Sequence, residues 1–166
     1  MLSKMKYLTI IRHADAPFSN INQLDYDRNL SILGFKQSNY IGKKLFDINV
    51  NFDLMITSTA IRALSTCQII AVNTKYSFEI IQKIKEIYSA NIDDLCFIIS
   101  KTSSEIKSLA LVGHNPAVKH LYEKIVNSKI NYFPTCFLVH ISIETDNWNN
   151  WMRCDNQVLF TMEPVL

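Results

Sequence analysis

Cysteine is sparse and badly spaced for covalent or metal chemistry. The four, Cys67, Cys96, Cys136 and Cys154, lie far apart, and no two form a CxxC pair. They read as free, reduced thiols, with Cys67 and Cys96 on the apolar faces of helices. Cys/His ligand spacing and HxxxH are also missing, which removes the sequence case for a metal. No apolar run reaches the roughly 18 residues a membrane span needs. The N-terminal run is broken by Arg12 and His13 and lacks a small-residue cleavage site. The expectation is a cytoplasmic protein that does not meet the membrane. Charge of one sign is lacking too. A net charge of +2 with scattered Lys and Arg argues against nucleic acid as the main partner. With 3 Gly and 4 Pro, no Gly/Pro/Ser-rich linker divides the chain, and nothing repeats. Residues 1–166 therefore read as a single domain with enough volume for a continuous core.

What is present is concentrated in strand ends. Leu8-Thr9-Ile10-Ile11 runs into Arg12-His13-Ala14, and Leu109-Ala110-Leu111-Val112 runs into Gly113-His114-Asn115-Pro116. Buried parallel strands read as such apolar, β-branched runs, and ligands bind beyond their carboxyl ends. A third run, Asp53 to Thr57, reaches Ser58, and Arg62 follows it in the first turn of a helix.

Helices alternate with these strands. Ser31 reads as the N-cap of a helix that turns Ile41, Leu45 and Ile48 inward. A helix near 60–73 keeps Ala60, Ala63, Leu64, Cys67, Ile70 and Ala71 at i, i+3, i+4 spacing. Phe78 to Ile81 reads as a short strand. A helix near 91–100 follows, with Ile92, Leu95, Cys96 and Ile99 inward. Asn115 as N-cap and Pro116 at the first helical position open a last helix running to about Asn127. The tail changes character. Phe137 to Ile143 reads as a strand, and Trp148 to Arg153 as its partner across an Asp146-Asn147 turn. The pattern predicts an α/β protein: a three-layer α/β/α sandwich, its sheet mostly parallel with an antiparallel element late in the chain.

Two histidines and two arginines on one rim suit an anion of several charges. Guanidinium forks match phosphoryl oxygens in a bidentate way. Helix N-termini, here after Ser58 and Asn115, add N–H donors. A neutral imidazole can attack phosphorus and form a phosphohistidine that water later hydrolyses. His13 suits that nucleophile. Arg12 and Arg62 suit the cradle, and His114 suits a donor to the transferring oxygens.

Arg12-His13-Ala14, Ser58-x-x-x-Arg62-Ala63 and Gly113-His114-Asn115-Pro116, in this order, resemble the histidine phosphatase superfamily, the phosphoglycerate mutase-like clan. Asp25-x-Asp27-Arg28-x-Leu30-Ser31-x-x-Gly34 is similar to a segment of its SixA-type phosphohistidine phosphatase branch. The likeness runs from about residue 6 to about 140. It implies a phosphoglycerate mutase-like fold, His13 as the phosphorylated nucleophile, and Arg12, Arg62 and His114 around the phosphoryl group. Glu86 would be the acid that protonates the leaving group. Arg28 would either contact substrate phosphate or pair with Asp25 or Asp27. Ala14 stands where the superfamily usually has Gly, a change that matters only if the position needs positive φ. Asn29 stands in place of a Pro.

The implied activity is a metal-independent, cofactor-free phosphatase, expected as a monomer, acting on phosphohistidine of a histidine phosphotransfer domain. The alternatives are a phosphatase for a small phosphate ester or sugar phosphate, and a non-catalytic phosphate-binding regulatory module. His120, His140, Trp148 and Trp151 read as structural.

Overall fold

The computed structural model describes residues 5–165. Among the described residues six strands form one sheet: β1 (Met5–Arg12), β2 (Leu54–Ser58), β3 (Gln82–Ile84), β4 (Ser108–Gly113), β5 (Leu138–Glu144) and β6 (Asn156–Met162), in the order β3-β2-β4-β1-β5-β6. The first four in that order are mutually parallel, while β5 runs antiparallel to both β1 and β6. The helices are α1 (Ile32–Asp47), α2 (Ile61–Asn73), α3 (Ile92–Ser100) and α4 (Ala117–Val126).

Period-2 alternation divides each central strand between two cores. Leu8, Ile10, Leu109 and Leu111 face α3 and α4, packing with Leu95, Ile99, Val118 and Leu121. Ile11, Ala110 and Val112 face α1 and α2, with Ile41, Leu45, Cys67 and Ile70. The result is the expected α/β/α sandwich. Among the described residues, no helix is long and apolar enough to cross a membrane.

Ser31 caps α1 as its position predicts, its side chain accepting from Gly34 N. That turn also locks the preceding loop. Ser31 N and Oγ both donate to Asp15, and a Cβ at Gly34 would stand 2.2 Å from Asp15 O. Only glycine allows the loop and helix to approach so closely.

Several local expectations fail. Phe78–Ile80 is a 3₁₀ turn rather than a strand; Ile81 dives into the core, and pairing with β2 starts only at Gln82. Trp148 to Arg153 is not the partner of β5. Both indoles are buried, and Trp148 Nε1 donates to Ile106 O at 2.9 Å. These anchors pull the segment off the sheet, leaving Asn156–Met162 to pair with β5. Pro116, not Asn115, is the N-cap of α4; Asn115 Nδ2 donates to Phe133 O, and its Oδ1 accepts from no helix N–H. Ile48 is a half-exposed C-cap residue. The four cysteines are free; Cys67 and Cys136 are buried, and Cys96 only half-buried.

Candidate active site

The register of β1 on β4 pairs Arg12 with Gly113. The next residue of each strand is a histidine, so His13 and His114 leave the sheet side by side. His13 N donates to Gly113 O at 3.0 Å, extending the ladder one step. The ring centroids lie 5.1 Å apart, tilted by 55°. Gly113 closes β4 without a side chain; a Cβ there would meet Val118 of α4 at 2.9 Å.

His13 Nδ1 lies 2.8 Å from Ala14 O. A carbonyl only accepts, so Nδ1 carries the proton and Nε2 keeps its lone pair. That lone pair accepts from Arg62 Nε at 3.2 Å. Ala14 is buried and is not among the residues with positive φ, so alanine serves here without strain. Its N–H donates to Thr66 Oγ1, one turn along α2 from Arg62.

Arg62 is buried in the first turn of α2. Ser58 does not cap that helix; it accepts from Ala60 N, and Ala60 is the N-cap. Arg62 Nη2 meets Asp25 Oδ2 at 2.8 Å, and Nη1 donates to Asp25 O. Arg28 Nη2 pairs with the other oxygen, Oδ1, at 2.8 Å; Nη1 reaches Ala16 O, and the guanidinium lies over the Phe18 ring. Arg12 Nη1 donates to Phe133 O at 2.8 Å, and its Nε has no partner.

These groups line an open pocket of about 500 Å³ with Asp15, Pro17, Tyr88, Asn115 and Thr135. Both nitrogens of His114 are buried without a hydrogen-bond partner. Burial lowers His13 to about 4, and the charges of Arg62, Arg12 and Arg28 act in the same direction, against the bond to Ala14. Burial, then His13 and Arg62, lowers His114 to about 3. Both rings are therefore neutral at physiological pH. Two neutral imidazoles and three guanidinium groups around one opening form an anion pocket, with the unprotonated Nε2 of His13 held against Arg62 Nε inside it.

Glu86 is not brought to this pocket. It lies in the short 3₁₀ turn Lys85–Tyr88, where Ile87 packs into the core and Glu86 is exposed. Tyr88 takes the inward place. Its hydroxyl donates to Asp25 Oδ2 at 2.9 Å, and its ring stands edge-on to His114 at 5.6 Å. Sequence reasoning missed Tyr88, which lies two residues from Glu86, and gave Asp25 only a possible pairing with Arg28. Arg28 pairs with Asp25 and lines the pocket. Among the described residues, no three His, Cys, Asp or Glu side chains converge as a metal-binding group.

A profile of the histidine phosphatase superfamily (branch 1) matches residues 8–108, more than half of the chain. The mitochondrial serine/threonine-protein phosphatase Pgam5 of Drosophila ananassae is 29% identical over 76 residues, covering 46% of this chain and 26% of that protein. The chain thus spans about a quarter of that relative's length. Among solved structures, one from Agrobacterium tumefaciens assigned to the SixA phosphohistidine phosphatases superposes with a TM-score of 0.81 at 24% identity, covering 96% of this chain and 99% of the other. The protein histidine phosphatase SixA solved with tungstate gives 0.78 at 17% identity, covering 95% and 96%. Mycobacterial glucosyl-3-phosphoglycerate phosphatase gives 0.63 at 11%, covering 93% and 97%.

Proposed function

The chain belongs to the histidine phosphatase superfamily (branch 1) and is a phosphatase hydrolase; from that premise we propose that it removes phosphate from phosphohistidine on a phosphotransfer protein, through a phosphohistidine on its own His13. The observation that carries the mechanism is the tautomer of His13. Its proton is committed to Ala14 O, and the lone pair on Nε2 faces the arginine-lined pocket. In the first step Nε2 attacks phosphorus and the bond from phosphorus to the substrate imidazole breaks. That imidazole takes the bond's electrons and leaves, gaining a proton from solvent as required. In the second step water attacks phosphorus, the P–Nε2 bond breaks, and phosphate departs with His13 restored.

Arg12, Arg62 and Arg28 hold the equatorial oxygens. His114, neutral and unpartnered, donates its one N–H to them as charge develops. An imidazole leaving group asks less of a proton donor than an alkoxide does, which suits a pocket whose Asp25 is held ionised. A protein-borne phosphate also suits the open mouth, beside which Phe18 stands exposed on the loop carrying Asp25 and Arg28. The same reading places the protein in the cytoplasm, acting as a monomer.

The test compares wild type with His13→Ala, in EDTA, on a chromogenic phosphate ester and on a phosphohistidine-bearing phosphotransfer protein. His13→Ala is expected to lose at least about 10³-fold in kcat. Wild type should form an acid-labile, base-stable phosphoenzyme. Equal rates for the two proteins on every substrate would end the enzyme reading. Faster turnover of the small ester than of the phosphoprotein would move the substrate to the ester class.

A further inference from the structure

Asp25 opens a 3₁₀ turn in the loop between β1 and α1, and its oxygens meet three other residues of the pocket. Its Oδ2 accepts from Arg62 Nη2 at 2.8 Å and from the Tyr88 hydroxyl at 2.9 Å. Its Oδ1 faces Arg28 Nη2 at 2.8 Å. Its backbone carbonyl accepts from Arg62 Nη1. Burial opposes the ionisation of Asp25, but the Tyr88 hydroxyl and the charges of Arg62 and Arg28 outweigh it and hold the carboxyl below its ordinary range.

The consequence lies in the shape of the guanidinium group. It is planar, with donors on an end edge (Nη1 and Nη2) and on a side edge (Nε and Nη2). Asp25 takes the end edge with two oxygens, which fixes the plane of the group. The side edge is left directed at His13, with Nε 3.2 Å from Nε2. A phosphoryl group moving to Nε2 meets that side edge. On the assignment of His13 as nucleophile, we propose that Asp25 is a positioning residue that aims Arg62 at the phosphoryl group in transit. Through its second oxygen it also sets Arg28, and through Tyr88 it braces the ring against His114.

Positioning separates from mere loop support because the two treat a resting anion differently. Removing a negative charge beside an anion pocket does not weaken phosphate binding, and Coulomb's law favours tighter binding. Loss of alignment instead falls on the chemical step, where small misplacements cost about 10- to 100-fold.

The experiment uses Asp25→Asn and Asp25→Ser, with Asp27→Asn as a control on the exposed neighbouring carboxylate and His13→Ala in parallel. Turnover is measured on the chromogenic ester and the phosphoprotein, and inorganic phosphate serves as the inhibitor. Expected are a fall in kcat of about 10- to 100-fold in both Asp25 variants and a phosphate inhibition constant equal to or below that of wild type. Asp27→Asn should match wild type. In an Arg62→Lys background, Asp25→Asn should cost less than about 3-fold, since the group it aims has already been replaced.

Two results overturn the inference: kcat in both Asp25 variants within about twofold of wild type, or phosphate inhibition that weakens in parallel with kcat. If His13→Ala keeps the wild-type rate, the parent reading falls and takes this one with it. If His13→Ala is inactive while both Asp25 variants keep full kcat, only the role of Asp25 falls.

Discussion

His114 and His140 are almost equally buried, 7% and 6% exposed, and lie on opposite sides of β1. Their surroundings differ in one respect that decides what each can do. His140 sits in β5 with Nδ1 2.8 Å from Thr9 Oγ1 on β1, its ring stacked between Tyr7 and Phe160. His114 sits one residue past the end of β4, with neither nitrogen partnered and with the pocket in front of it. A buried polar group without a partner is costly. A fold keeps one where something from outside completes it, and here an anion can do so. Burial alone does not mark a functional histidine; burial with an open valence does.

The largest effect should come from exchanging the two. His114→Ala removes a donor aimed at the reacting group and should lower kcat by about 10²- to 10³-fold, while stability changes by less than about 1 kcal/mol because no bond is broken. His140→Ala empties an aromatic stack and should cost about 2–4 kcal/mol of stability, with kcat on the chromogenic ester near wild type. Urea unfolding and initial rates on both variants give the answer. A His140→Ala protein that keeps its stability but loses turnover would erase the distinction.

Acid titration sharpens the comparison next. Burial lowers His140 to about 4, as it does His13. A histidine depressed in the folded state is neutral in both states above its unfolded value near 6.5. Below that pH the unfolded chain takes up the proton first, so stability falls as pH drops toward 4. Each such group accounts for roughly 2 kcal/mol between pH 7 and pH 5. His140→Phe should flatten that acid loss by one group's share, measured by urea unfolding at the two pH values. Turnover answers to the site alone. After correction for the substrate's own ionisation near pH 6, kcat/KM should fall only as His13 is protonated near pH 4, and it should do so identically in His140→Phe. An acid limb near 6.5 would mean that the nucleophile is not the buried, arginine-flanked ring described here.

The two regions were unequally legible in the sequence. Apolar runs ending at Arg12-His13 and Gly113-His114 are strong local patterns, and the pocket does bring those residues together with Arg62. Register is not a local property. Nothing in either run states that Arg12 faces Gly113, and it is this pairing that puts the histidines side by side. Asp25 and Tyr88 meet across 63 positions, beyond any periodicity. The family resemblance implies Glu86, but Ile87 anchors its turn to the core and leaves Glu86 outside. The same competition displaced the last strand, because buried indoles outrank β-propensity in Trp148 to Arg153. His140 read as structural from its place within a strand, but its partner Thr9, 131 residues away, was out of view.

The smallest predicted effect isolates that partner. Thr9→Val replaces the hydroxyl with a methyl of nearly the same volume on a β-branched side chain that suits the strand. The shape of the side chain is kept, and the one loss is the 2.8 Å hydrogen bond to His140 Nδ1. An unpaired buried nitrogen costs about 1–3 kcal/mol where no water reaches it, and the stacked rings on either side leave water little room. A loss of about 1 kcal/mol in urea is therefore expected, with kcat unchanged. Since Thr9 lies three residues before Arg12 on the same strand, the measurement also asks whether β1 transmits disturbance to its end. A rigid ladder paired on both sides, to β4 and to β5, predicts that it does not. A fall in kcat beyond about threefold would mean that the wall around His140 and the pocket beyond β1 are coupled after all.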